Sequence, residues 1–142
     1  IIYRSADTKA GIVVQDELES GKRAILNYGH TFGHAIEKLC GYGTYLHGEA
    51  VAIGMIAISE LAIQRKTWKR EDAKRQLDLI KKAGLPTRWP NLNANDVWEV
   101  LMNDKKVKDG KVRFVLPKSI GCVELSDDIS KSEVIDCLSI IT

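Results

Sequence analysis

From Gly48 to about Arg65 the chain is apolar almost all the way round a helical wheel. Val51, Ala52, Ile53, Met55, Ile56, Ala57, Ile58 and Leu61 leave no continuous polar face. A helix of that kind must be covered on every side. Its longest apolar segment, Ala50 to Ala62, is broken by Gly54, Ser59 and Glu60, so it is too short and too interrupted to span a bilayer. The expectation is a central helix in a bundle, with the rest of the chain as its coat.

The flanking segments supply that coat. Residues 7 to 19 place Ala10, Val13, Val14 and Leu18 at roughly helical spacing, with Ser5 or Asp7 as cap and Ser20-Gly21 as stop. A second helix is predicted from Lys22 to Cys40, with Ile25, Leu26, Phe32, Ile36 and Leu39 inward, before Gly41-Tyr42-Gly43 breaks the pattern. Arg70 to Ala83 is amphipathic, with Leu77, Ile80 and Ala83 facing in, and Gly84 and Pro86 end it. Pro86 to Pro90 reads as a turn. Asn93 or Asn95 caps a fifth helix, Asp96 to Asn103.

The period then changes from 3.6 to 2. Val112, Phe114 and Leu116 alternate with Lys111, Arg113 and Val115; after a Pro117–Gly121 connection come Cys122, Val123 and Leu125, which together predict a small β-hairpin. Ser130 caps a last helix, Lys131 to Leu138. The fold class is therefore mainly α, a helical bundle domain with one small β-hairpin, occupying residues 1–142 as a single domain.

Composition excludes several classes. With 44% hydrophobic and 28% charged residues the chain is globular, not disordered. A formal charge of +2 is too near neutral to argue for a nucleic-acid or membrane partner. The three cysteines, Cys40, Cys122 and Cys137, are scattered and form no C-x-x-C pair, which fits a reducing cytoplasm better than a disulfide framework or zinc knuckle. No strand followed by a glycine-rich loop is present, since Gly41-Tyr42-Gly43 lacks the preceding apolar strand, so no dinucleotide cofactor is expected to bind through this chain. The chain begins at Ile1 and reads as a fragment or excised domain.

All three histidines, His30, His34 and His47, fall within one short stretch. His30 and His34 are spaced i, i+4 and share a helix face. His47 follows the glycine turn and returns near that face if the second and third helices pack antiparallel. Imidazole suits zinc, and a catalytic zinc commonly takes three protein ligands and leaves one position open, so spacing alone points to His30, His34 and His47 as a ligand set. Arg23, Asn27, His30 and His34 recur at steps of four, three and four, a polar stripe on an otherwise apolar helix. Glu19 lies four residues before Arg23, and Lys9 joins from the first helix. Solvated faces carry mostly Lys and Glu; Arg, Asn and two His suit an anionic polyol beside a metal.

The run Glu19-Ser20-Gly21-Lys22-Arg23-Ala24-Ile25-Leu26-Asn27-Tyr28-Gly29-His30-Thr31-Phe32-Gly33-His34-Ala35-Ile36-Glu37 resembles the signature of 3-dehydroquinate synthases. So does Leu46-His47-Gly48-Glu49-Ala50-Val51-Ala52-Ile53-Gly54-Met55, and Asp104-Lys105-Lys106 followed by Arg113-Phe114-Val115-Leu116-Pro117 is similar to that family as well.

The resemblance implies an N-terminal NAD-binding domain, absent from this chain, and a helical C-terminal domain holding a divalent metal, zinc or alternatively cobalt. It also implies a cytoplasmic homodimer for the full-length enzyme. The implied substrate is the sugar acid phosphate 3-deoxy-D-arabino-heptulosonate 7-phosphate, and the products are 3-dehydroquinate and phosphate. His30 and His47 match the family's two histidine ligands; the third, an upstream glutamate, is not in this chain. His34 then becomes a proton-moving or substrate-contacting residue. Lys9 and Arg23 match positions that grip the substrate carboxylate. Asn27 and a lysine of the pair Lys105 and Lys106 match positions near the phosphate, and Glu19 is assigned to orienting Arg23 or Lys9. The isolated fragment is expected to be inactive.

Two alternatives remain at this point. Other sugar phosphate cyclases, such as 2-deoxy-scyllo-inosose and 2-epi-5-epi-valiolone synthases, share the architecture and much of the motif. A non-catalytic helical module that holds metal is the other.

Overall fold

The computed structural model describes residues 1–16, 22–103 and 111–141. Among them are six α-helices: α1 (Ile2–Gln15), α2 (His30–Cys40), α3 (His47–Gln64), α4 (Arg70–Lys82), α5 (Ala94–Met102) and α6 (Lys131–Ile141). A 3-10 segment, Lys22–Asn27, precedes α2, and strands β1 (Phe114–Ser119) and β2 (Cys122–Ser126) pair antiparallel.

As its all-round apolar surface requires, α3 is the buried centre. Ala50, Ile53, Ala57, Ile58, Leu61 and Ala62 are all essentially inaccessible, and only Met55, Ile56 and Ile63 of its large apolar side chains are half-buried. Around it pack Phe32, Ala35 and Ile36 of α2, Val97 and Leu101 of α5, Phe114 and Leu116 of β1, and Val134, Cys137 and Leu138 of α6. Phe32 meets Trp89 edge-on at a centroid distance of 5.9 Å and Phe114 at 5.8 Å, the tilted geometry aromatic pairs prefer.

Several helix ends are written in the sequence. Ser130 and Glu133 form a reciprocal cap on α6: the Ser130 hydroxyl accepts from the Glu133 amide at 3.3 Å, and the Glu133 carboxylate accepts from the Ser130 amide at 2.8 Å. The Asn93 side chain caps α5 by accepting from the Asn95 amide at 2.8 Å. After α4, Gly84 adopts φ 73°, and the Leu85 amide bonds back to the Ile80 carbonyl at 3.2 Å, a Schellman closure.

The sequence reading is corrected at several elements. The first helix starts at Ile2, not near residue 7, so Ser5 and Asp7 lie inside it and cap nothing; none of its residues is buried, and Ala10 and Val14 are exposed. The 3-10 segment packs against part of α1 and leaves Ile12 and Val13 only half-buried, so apolar spacing there did not translate into core. The predicted helix from Lys22 to Cys40 is two elements. Gly29 at φ 79° separates the 3-10 segment from α2, leaving Ile25 and Leu26 half-buried. In α4 only Ile80 is buried, and Ala83 is exposed at the helix end. In the hairpin, β1 continues through Pro117 and Lys118 to Ser119, and the turn is only Ile120-Gly121. Burial along Phe114-Val115-Leu116-Pro117 is continuous, not alternating. In a sheet of two strands every strand is an edge, so Pro117 is tolerated, and the register shifts beside it.

Candidate metal centre and anion pocket

The site is built where α2 lies against α3. A Cβ added to Gly33 would meet Val51 Cα at 3.1 Å, and one added to Gly54 would meet the Gly29 carbonyl oxygen at 2.1 Å. Gly29 pairs with Gly54, Gly33 with Val51, and Glu37 with His47, so the helices run antiparallel at a backbone separation only glycine permits. That register brings the first residue of α3, His47, back onto the face of α2 that carries His30 and His34.

The three imidazoles form a cluster. Ring centroids are 5.2 Å apart for His30 and His47, 5.8 Å for His30 and His34, and 5.9 Å for His34 and His47. His30 Nδ1 is 3.2 Å from the Tyr28 carbonyl oxygen, and His47 Nδ1 is 3.2 Å from each Glu37 carboxylate oxygen. Donor atoms of His34, Glu37 and His47 lie within 4.8 Å of one another. Glu37 carried no role in the sequence reading. Its signal was its place at i+3 from His34 and i+7 from His30 on one helical face, but only the antiparallel register reveals its partner.

Beside the cluster, Lys9, Arg23, Leu26, Asn27 and His30 line a pocket of about 380 Å³. The predicted single-helix stripe is thus replaced by a three-element arrangement: Lys9 on α1, Arg23 and Asn27 on the 3-10 segment, His30 at the start of α2. The Arg23 amide donates to Asp16 Oδ2 at 2.8 Å, tying the 3-10 segment to the end of α1. His34 is in the histidine cluster and does not line this pocket. Glu19, Lys105 and Lys106 lie outside the described residues.

Support beneath the site comes from Tyr28. Its hydroxyl donates to Gln76 Oε1 at 2.5 Å, and Gln76 Nε2 donates to the Met55 carbonyl at 3.0 Å. Burial pushes the Tyr28 phenol well above its usual range, with the Gln76 hydrogen bond offsetting part of the effect, so Tyr28 stays neutral and structural.

The donor set suits a divalent first-row ion. Clustered imidazoles with a carboxylate at hand are zinc-type ligands, and two of the three rings have Nδ1 against an oxygen acceptor, the arrangement that directs Nε2 outward.

The model of the family described as 3-dehydroquinate synthase C-terminal matches residues 1–107. The chain belongs to that family. A 3-dehydroquinate synthase of Synechococcus sp. (strain CC9605) is 60% identical over 138 residues, which cover 97% of this chain and 37% of the relative. That of Prochlorococcus marinus (strain NATL2A) is 60% identical over 142 residues, covering 100% of this chain and 39% of the relative. The chain thus spans under two fifths of the length of these 3-dehydroquinate synthases. Among solved structures, the 2-epi-5-epi-valiolone synthase of Streptomyces hygroscopicus subsp. jinggangensis, with NAD+ and Zn2+ bound, superposes at a TM-score of 0.85 with 26% identity, over 98% of this chain and 38% of that one. A 2-deoxy-scyllo-inosose synthase complexed with carbaglucose-6-phosphate, NAD+ and Co2+ superposes at 0.81 with 24% identity, over 96% of this chain and 40% of that one, and shows the shared fold.

Proposed function

We propose that this chain is the metal-holding part of a 3-dehydroquinate synthase, which converts 3-deoxy-D-arabino-heptulosonate 7-phosphate to 3-dehydroquinate and phosphate once joined to an NAD-binding domain. The observation that carries the reading is the double position of His30. It lines the pocket that Lys9, Arg23 and Asn27 also line, and its ring is 5.2 Å from that of His47. A substrate held by the cations therefore lies against the histidine cluster.

Within this reading His30 and His47 hold the metal, zinc or cobalt, together with a ligand from outside the chain. When bound, the metal held by His30 and His47 would supply Lewis-acid polarisation of a substrate hydroxyl, and NAD on its own domain would supply the hydride chemistry. Lys9 and Arg23 bind the anionic groups, with the Arg23 guanidinium suited to a two-point grip on a carboxylate. Asn27 orients the phosphate end, with Lys105 or Lys106 beside it, so that the leaving group is positioned to take up a proton itself. His34, next to His30, moves a proton at the ring hydroxyl as a general acid or base. Glu19 orients Arg23 or Lys9. The complete enzyme is read as a cytoplasmic homodimer, and the chain alone as inactive.

The test is phosphate release by the complete protein, with NAD and Zn2+, from the heptulosonate phosphate, sedoheptulose 7-phosphate and glucose 6-phosphate in parallel. NAD-dependent release from the heptulosonate alone, abolished by His30→Ala, is the expected result. Release from either other sugar instead would reassign the chain to a sister cyclase. In the same assay Asn27→Ala should slow turnover more than it weakens metal binding; equal loss of both would refute its proposed role.

A further inference from the structure

We infer that Glu37 is the positioning residue of the metal centre, fixing the His47 ring through Nδ1 so that Nε2 is the atom presented to the metal. The inference rests on the reading of His30 and His47 as ligands.

His47 is the first residue of α3, and its side chain is 55% exposed, while that of Glu37 is 18% exposed. Left to itself, an imidazole so exposed would sample several rotamers and either tautomer. Both Glu37 oxygens lie 3.2 Å from Nδ1, a two-oxygen cradle around one ring nitrogen. An ionised carboxylate only accepts, so the neutral ring carries its proton on Nδ1 and its lone pair on Nε2. A carboxylate behind a metal-bound imidazole also raises the basicity of the ligating nitrogen.

Glu37 is placed to do this and not to bind the ion itself. It is seven residues along α2 from His30, roughly 10 Å of helical rise at 1.5 Å per residue. The close donor set that contains Glu37 contains His34 and His47 but not His30. With His30 and His47 as ligands, the carboxylate on the Nδ1 side of His47 would leave Nε2 as the atom offered to the ion. The cradle depends on the α2–α3 register, because Glu37 and His47 face each other only while Gly33 and Gly54 let the helices touch.

The experiment compares Zn2+ affinity, by competition with a chromophoric chelator, and the visible spectrum of the Co2+ form. The complete protein is compared with Glu37→Gln, Glu37→Ala and His47→Ala. Glu37→Ala should weaken Zn2+ about 10- to 100-fold, the usual effect of losing such a partner, with the Co2+ band intensity kept. The near-isosteric Glu37→Gln should recover part of the loss, and it carries the test if the alanine variant folds poorly. His47→Ala should cost more than either. An affinity within about twofold of wild type in Glu37→Ala, with His47→Ala still impaired, would overturn the inference alone. Loss in both Glu37 variants equal to that in His47→Ala, with an altered Co2+ spectrum, would make Glu37 a ligand and overturn it too. Unchanged affinity in His47→Ala would instead refute the underlying metal assignment.

Discussion

Gly54 of α3 rests directly on the carbonyl oxygen of Gly29, so that a Cβ on Gly54 would stand 2.1 Å from that oxygen and 2.8 Å from the Gly33 amide nitrogen. Backbone atoms cannot swing aside as a side chain can. Gly54→Ala should therefore destabilise the chain by about 1–3 kcal/mol or more, although alanine is the better helix former by roughly 1 kcal/mol. Urea unfolding at constant m-value checks this. A stabilised variant would mean the helices are not in contact here.

Tyr28→Phe removes the donor to Gln76 and leaves that amide oxygen unmatched in a half-buried place. The expected cost is about 1 kcal/mol. Double mutation with Gln76→Leu should cost less than the sum of the two single changes, because the orphaned acceptor disappears with its residue.

The thiols should differ sharply in reactivity. Cys137 is fully buried, its thiol donates to the Ala57 carbonyl at 3.2 Å, and burial, helped by nearby Glu60, pushes its pKa up to about 12. Cys122 is exposed. A chromogenic disulfide reagent at pH 8 should label Cys122 quickly and Cys137 only after denaturant is added. Rapid labelling of Cys137 in the native state would contradict the described α3–α6 packing.

Arg65 joins the end of α3 to the start of α6, with 2.7 Å contacts from Nη1 to Glu133 and from Nη2 to Asp128. Burial alone would raise the Glu133 carboxyl, but the Ser130 amide and hydroxyl, and then Arg65, outweigh it and hold it below the usual range; the Ser126 hydroxyl, then Arg65, lower Asp128. Groups depressed in the folded state stabilise it above their unfolded values, near pH 4, and that contribution is lost as pH falls through the folded values. The melting-temperature gap between wild type and Glu133→Gln should be full at pH 7 and shrink below about pH 4. A gap independent of pH would show that shape, not charge, supplies the effect.

The central helix was legible because a segment apolar almost all round, from Ala50 to Ala62, must be covered on every side. The histidine cluster was legible from spacing, since His30 and His34 share a face and the short connection from Gly41 to Leu46 turns the chain back toward it at His47. Lys9, Arg23 and Asn27 line one pocket with His30, but from three elements and without His34, not as the single-helix stripe that the spacing implied. Helical spacing read straight through Gly29, whose left-handed φ of 79° ends one element and starts another. Glu37 escaped notice because its partner depends on helix register, which one strand of sequence does not encode locally. The hairpin turn was misplaced because Pro117 looked like a terminator, a rule that holds for paired interior strands and not for a two-stranded ribbon.

The pocket's walls differ in how firmly they are anchored. His30 and Asn27 sit on or beside the glycine-locked helix pair, whereas Lys9 rides on α1, a helix with no buried residue. Segments with few buried contacts open at low free energy, so amide exchange should strip protection from α1 long before α2 and α3. The histidine cluster would then act as a fixed anvil, and the lysine as a jaw whose closing is driven largely by whatever it grips.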